Sequence, residues 1–294
     1  MNRVELEIDR LINELNFPEA KELFGRLNGG KRLRARLILT IAPDAPTAPL
    51  LGAIVELIHA ASLLHDDVID ESSTRRGVES VNATEGSKIA IMLGDILYSK
   101  AFSELSGFDA KIAKSVATSV TNLSIGEMMD VQMSSSFNTN RELYKKMLYL
   151  KTATLIESAA YSAALLAGKD ATSHSIYGRN LGIAFQVVDD ILDIISDDAT
   201  LGKPALNDFV EGKTTLPYME LYEKLGTDER ERLKSYHLMV LDETQKLWIK
   251  SKMDDFGVIE SSYRYAKELC DEAIAVVDDE ALKNIIETVI KRSY

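Results

Sequence analysis

Between Pro49 and Pro204 the chain of 294 residues contains no proline, the residue that removes a backbone donor and breaks helices. Over this stretch apolar residues recur at helical spacing, first at Ile54, Leu57, Ile58, Ala61 and Leu64, then at Ala184, Val187, Val188, Ile191 and Ile194. The opening segment repeats the pattern at Val4, Ile8, Leu11, Ile12 and Leu15, and Pro18 closes it. Strand-like alternation is scarce. Gly, Pro and polar residues cluster at 43–49, 134–140, 168–173, 202–208 and 226–228, which predicts about ten helices. The expected fold class is all-α, a helix bundle around a central elongated cavity whose sites are built from side chains projecting inward.

The 46% hydrophobic and 27% charged composition suits a folded core, and no Pro/Gly/Ser-rich linker divides the chain. A single domain spanning 1–294 is therefore expected. The net charge of -12 argues against a nucleic-acid partner, which calls for clustered surplus Lys and Arg. An acidic chain binds anions only through metal ions or local basic clusters. The lone Cys270 has no partner for an intramolecular disulfide, and the N-terminal residues do not resemble a signal peptide, so a cytoplasmic location is expected. No apolar run is read as reaching the roughly 18 residues of a transmembrane segment, so a lipid-like substrate would be held within the protein.

Two acidic motifs carry the chemistry. In His65-Asp66-Asp67-Val68-Ile69-Asp70, helical geometry puts Asp66 and Asp70 one turn apart on a face that His59 and Ser62 continue. Apolar neighbours on both sides argue against a merely solvated helix end. The second copy, Asp189-Asp190-Ile191-Leu192-Asp193, follows Gln186 on the same kind of polar stripe. Paired carboxylates suit Mg2+, which takes one or two of them plus substrate phosphates.

Basic residues gather near both motifs despite the net charge: Lys31, Arg32 and Arg34 after Gly29-Gly30, then Arg75-Arg76-Gly77, Lys151-Thr152, Lys203 and Lys213. Such side chains suit phosphate oxygens. Asn207 to Thr214 nearly matches a nucleotide-phosphate loop, but Asn207 replaces the first glycine and no strand pattern precedes it.

Taken in order, Gly-Gly-Lys-Arg-Leu-Arg at 29–34, the two acidic motifs, Arg75-Arg76-Gly77, Lys151-Thr152, Gly202-Lys203-Pro204 and Gly212-Lys213-Thr214-Thr215-Leu216-Pro217 resemble the trans-type isoprenyl diphosphate synthase family over essentially the whole chain. The resemblance implies an isoprenoid-synthase fold, a homodimer, and condensation of isopentenyl diphosphate with an allylic prenyl diphosphate. It implies that Lys31, Arg34, His59 and Arg76 hold isopentenyl diphosphate, and that Arg75, Lys151, Thr152, Gln186, Lys203 and Lys213 attend the allylic substrate. Asp66, Asp70 and Asp189 would ligate Mg2+, supported by Asp67, Asp190 and Asp193, with three ions when substrate is bound and Mn2+ as the alternative. Asp66, Asp70, Asp189, Lys151 and Lys203 form the implied catalytic set. Two departures stand out: Ala35 replaces a common proline, and Leu206 a usual glycine.

Ser62 and Ile58 lie roughly one and two turns below Asp66, each turn being about 5.4 Å, near one isoprene unit. Ala61 and Ser62 are small, and the family's short-chain members often carry an aromatic residue at this level. A product of C20 (geranylgeranyl diphosphate) or longer is expected, with Met92, Met128, Met129, Met133 and Met147 as candidate cavity floor. Two other functions compete. A class I terpene cyclase wants Ser or Thr where Asp193 stands, and a silent length-regulating subunit would have lost acidic ligands that are intact here.

Overall fold

The computed structural model describes residues 1–27, 30–75, 77–195 and 205–290. Among the described residues nine helices exceed ten residues and shorter ones lie between them, so the total is larger than the ten or so expected. Among the described residues the only strands are a small hairpin, β1 (Thr74–Arg75) and β2 (Val78–Glu79). The fold is all-α.

Contacts divide the chain into two units, Met1–Thr121 with Leu155–Gly178, and Asn122–Thr154 with Arg179–Tyr294. The boundaries fall inside helices α7 (Ala110–Ser134), α9 (Thr154–Ala167) and α10 (Ala171–Ile195) rather than in linkers.

In the first unit α1 (Asn2–Asn13) buries Val4, Ile8, Leu11 and Ile12, the stripe its spacing predicts. It packs with α3 (Leu33–Ile41) and α6 (Ser87–Leu105) around α4 (Ala48–Ile69), while α2 (Pro18–Arg26) and α5 (Val81–Glu85) lie beside them. Leu51, Ile54, Leu57, Ile58, Ala61 and Leu64 of α4 are fully buried. Here the sequence reading needs correction. The 22 residues of α4 are long and apolar enough to cross a membrane, because Glu56 is the only Asp, Glu, Lys or Arg from Ala48 to His65. In its most apolar window 78% of residues are buried inside the protein, so the helix serves as a core element.

The second unit holds α8 (Arg141–Leu148), a π-helical turn (Tyr149–Ala153), the short α11 (Asn207–Val210), α12 (Leu216–Lys224), α13 (Thr227–Ser235), α14 (Glu243–Asp255), α15 (Val258–Ala275) and α16 (Glu280–Ile290). The Asn140 side chain caps α8 and Asp242 forms a capping box with Gln245 on α14. A core cluster including Leu206, Phe209, Tyr218, Leu233, Ile249 and Met253 holds α10 to α15 together.

Candidate active site

In the first unit Arg32 adopts a left-handed conformation (φ 48°) as the N-cap of α3, which turns the basic run sharply. The strained turn is held by carboxylates. Arg32 Nε donates to Glu5 at 3.0 Å, and its Nη1 lies 3.6 Å from Glu56. Glu56, only 3% exposed, also accepts the Ala35 N–H at 3.1 Å. Partly buried Arg34 keeps an enclosed Nε with no hydrogen-bond partner. Burial lowers the pKa of its guanidinium, and the charge of Glu56 partly offsets this. An enclosed, unsatisfied cationic donor is the kind of group an anion completes. Lys31 is exposed.

On α4 His59 and Asp66 are partly buried, and Asp70, at the helix C-cap, is exposed, so the predicted stripe is open at these positions. Asp67 points elsewhere. Its buried carboxylate takes Arg75 Nε at 2.8 and 2.9 Å and Arg75 Nη2 at 2.6 Å, while its carbonyl accepts the Ser72 N–H. Asp67 and Arg75, assigned from sequence to metal and substrate, hold each other and pin the β hairpin. Ile58 and Ala61 are fully buried and Ser62 nearly so, its Oγ donating to the His59 carbonyl at 2.9 Å.

In the second unit a cleft of about 580 Å³, its open mouth included, brings together seven site candidates singled out by sequence: Lys151, Thr152, Gln186, Asp190 and Lys213, with Met133 and Met147. Lys151 and Thr152 sit on the π turn, a geometry frequent at functional sites. Two glycines make the turn's packing possible: a Cβ on Gly126 of α7 would meet Lys151 N at 2.3 Å, and one on Gly182 of α10 would meet Ala153 Cα at 2.5 Å. A hydrogen-bond chain ties the turn to the second acidic motif. Thr152 Oγ1 donates to Gln186 at 2.9 Å, Gln186 Nε2 donates to Asp190 at 3.1 Å, and the buried Tyr144 hydroxyl donates to the other Asp190 oxygen.

Burial first, then the charges of Asp208 and Asp189, push the Asp190 carboxyl well above the usual range, against the bonds from Tyr144 and Gln186. Lys151 contacts Asp130 at 2.6 Å and Glu127 at 2.9 Å. Burial works against its charge, but these two carboxylates prevail and hold its pKa above the ordinary lysine value. Asp193 is also buried and anchors the start of α11, its carbonyl accepting Leu206 N–H at 2.8 Å and its carboxylate Asp208 N–H at 3.2 Å. Asp189 is partly buried. Arg76 and Lys203 lie outside the described residues.

Sequence reasoning missed Glu56, Glu127, Asp130 and Tyr144, of which the last two line the cleft; Thr214, part of the Gly212 to Pro217 motif, lines it too. Gly126, a mid-helix glycine beside Glu127, was the available signal of close approach. Met92 and Met128 are 53% and 63% exposed, so they form no buried floor. Among the described residues no three carboxylate, imidazole or thiol groups converge as a ready-made metal cage. Open Asp66, Asp70 and Asp189 still fit Mg2+, which needs only one or two protein carboxylates when phosphates complete its shell.

Fold and site thus define an all-helical protein with a cleft lined by two lysines and a buried acidic network. Residues 20–247 match the polyprenyl synthetase family model. The short chain isoprenyl diphosphate synthase of Methanothermobacter thermautotrophicus is 33% identical over 288 residues, covering 90% of this chain and 87% of that protein. The octaprenyl pyrophosphate synthase structure from Helicobacter pylori superposes with a TM-score of 0.93 at 39% identity, covering 99% of this chain and 97% of that one. A polyprenyl synthase from Caulobacter crescentus CB15, complexed with calcium and isoprenyl diphosphate, gives 0.84 at 29% identity, with 98% of each chain covered. The chain belongs to the polyprenyl synthetase family, the trans-prenyl diphosphate synthases.

Proposed function

We propose that the chain, acting as one catalytic domain, condenses isopentenyl diphosphate with an allylic prenyl diphosphate, head to tail and trans, to a product of C20 or longer. The observation that carries the reading is the cleft in which Lys151 and Lys213 face the network of Thr152, Gln186 and Asp190. Lys151, kept charged by Asp130 and Glu127, and Lys213 stabilise the diphosphate as its bond to the allylic carbon breaks. Met133, Met147 and Leu148 supply apolar wall that keeps water from the allylic cation. The alkene of isopentenyl diphosphate attacks, and the departed diphosphate takes the proton whose loss restores a double bond. Isopentenyl diphosphate is held by Lys31, Arg34, His59 and Arg76, the unsatisfied Arg34 Nε being the feature that favours this. Asp66, Asp70 and Asp189 would hold Mg2+, three ions with substrate bound, or Mn2+. The metal supplies further stabilisation of negative charge on the leaving diphosphate.

The product length rests on the small side chains of Ala61 and Ser62 above Ile58, and similarity to both short-chain and octaprenyl enzymes leaves the length to measurement. A cytoplasmic location is part of the proposal, supported by the single buried thiol, Cys270.

The test is chromatographic and mass analysis of products from the purified chain with Mg2+, isopentenyl diphosphate and C5, C10, C15 or C20 allylic starters. Products of C20 or beyond are expected. Arrest at C15 would overturn the length alone, cyclised hydrocarbon would indicate a terpene cyclase, and no elongation would leave a silent subunit. Lys151→Ala is expected to lower kcat/KM by about 100-fold or more with the fold retained.

A further inference from the structure

We infer that His237, in the turn between α13 and α14, is a positioning residue for Lys213. Lys213 lines the cleft and its Nζ donates to Glu211 at 2.7 Å. The peptide unit leading into it is fixed on both edges. Its N–H donates to the Asp208 carbonyl at 2.7 Å, and its carbonyl, that of Gly212, accepts from His237 Nε2 at 2.8 Å. Pinning both polar groups of one peptide sets its plane, and thereby the direction in which the Lys213 side chain leaves the backbone.

The surrounding packing holds this arrangement. The His237 ring meets Phe137 and Phe209 edge to face, with centroids 5.6 and 5.4 Å away. Leu238 adopts a left-handed conformation (φ 62°), and its N–H reaches the Phe209 carbonyl at 3.4 Å. Such a backbone persists where neighbours over-determine it. Gly212 (φ 88°) has no space for a side chain, since a Cβ would lie 2.3 Å from the Ser134 carbonyl oxygen and 2.7 Å from Leu238 Cδ2. The segment carrying Lys213 is thus clasped between the end of α7 and the His237 turn. His237 is absent from the cleft wall, so it acts through Lys213.

This rests on the proposed role of Lys213 in holding a diphosphate. Two variants test it: His237→Ala removes the donor, and His237→Gln returns an N–H at similar reach. In steady-state assays His237→Ala is expected to raise KM for the allylic diphosphate and to lower kcat, so that kcat/KM falls about tenfold, the scale of one lost hydrogen bond, with KM for isopentenyl diphosphate little changed. His237→Gln is expected to restore most of the loss. Calorimetric titration with inorganic pyrophosphate and Mg2+ gives a readout free of turnover, in which the alanine variant is expected to bind more weakly and the glutamine variant nearly as well as wild type. Unchanged KM and pyrophosphate affinity in His237→Ala, or a glutamine variant as impaired as alanine, would overturn the inference. If wild type binds pyrophosphate but elongates no starter, the proposed function falls and the titration alone decides the role of His237.

Discussion

Glu56 sits in an otherwise apolar run, and the cost of burying its carboxylate is offset by the Ala35 N–H at 3.1 Å and Arg32 Nη1 at 3.6 Å. A proline at position 35 would have no N–H to give. Ala35→Pro is therefore expected to destabilise the fold by about 1–3 kcal/mol, seen as a lower urea midpoint. An unchanged midpoint would mean that Glu56 finds its donors elsewhere. Leu206, the other departure from the resembled pattern, is fully buried with φ 63°, a left-handed conformation that glycine adopts without steric cost. Cys270 is 2% exposed and burial pushes its thiol up to about 12 from 9.0. It should resist an alkylating reagent at pH 8 until the protein is unfolded, because the thiolate is the reactive form. The sign of the linkage follows: above pH 9 the unfolded thiol loses its proton while the native thiol keeps it, so this group lowers stability as pH rises toward about 12.

The π turn at Tyr149–Ala153 shows how one element orients the cleft. Its backbone meets α7 and α10 where Gly126 and Gly182 lack side chains, and the close atoms are backbone that a rotamer change cannot clear. Gly126→Ala is accordingly expected to cost about 1–3 kcal/mol and to reduce activity together with Tm. Full activity at wild-type Tm would show that α7 shifts freely. The polar breaks at 134–140 and 168–173 bracketed one helical stretch around this turn but did not reveal the turn itself. Its hydrogen-bond register depends on how closely neighbouring helices approach, which residue spacing along one helix does not encode.

At the surface, Ile125, Met128 and Val131 along one side of α7 are 44%, 63% and 50% exposed. An exposed apolar stripe of this kind favours self-association, in keeping with the homodimer proposed from family resemblance. Met128→Glu is expected to shift the mass measured by light scattering from dimer toward monomer. A wild-type monomer would refute the dimer, and an unaffected variant dimer would place its interface elsewhere. The buried α4 makes the complementary point, since length and hydropathy matched a membrane span while packing made it a core helix.

The sequence by itself determined the helical class, through the proline-free interval and the apolar period, and it named polar residues that share the cleft, Lys151, Thr152, Gln186, Asp190 and Lys213. These were legible because helical spacing and charge type are local properties. Only the tertiary structure decided that Asp67 turns to Arg75, that Asp190 is buried under Tyr144, and that Asp193 anchors the start of α11. Adjacent aspartates read alike as letters, yet successive helical residues point about 100° apart, so one meets solvent and the next the core. Glu56, Glu127, Asp130 and His237 escaped notice for the same reason: their partners lie 21, 24, 21 and 25 positions away along the chain, and only folding brings them within reach.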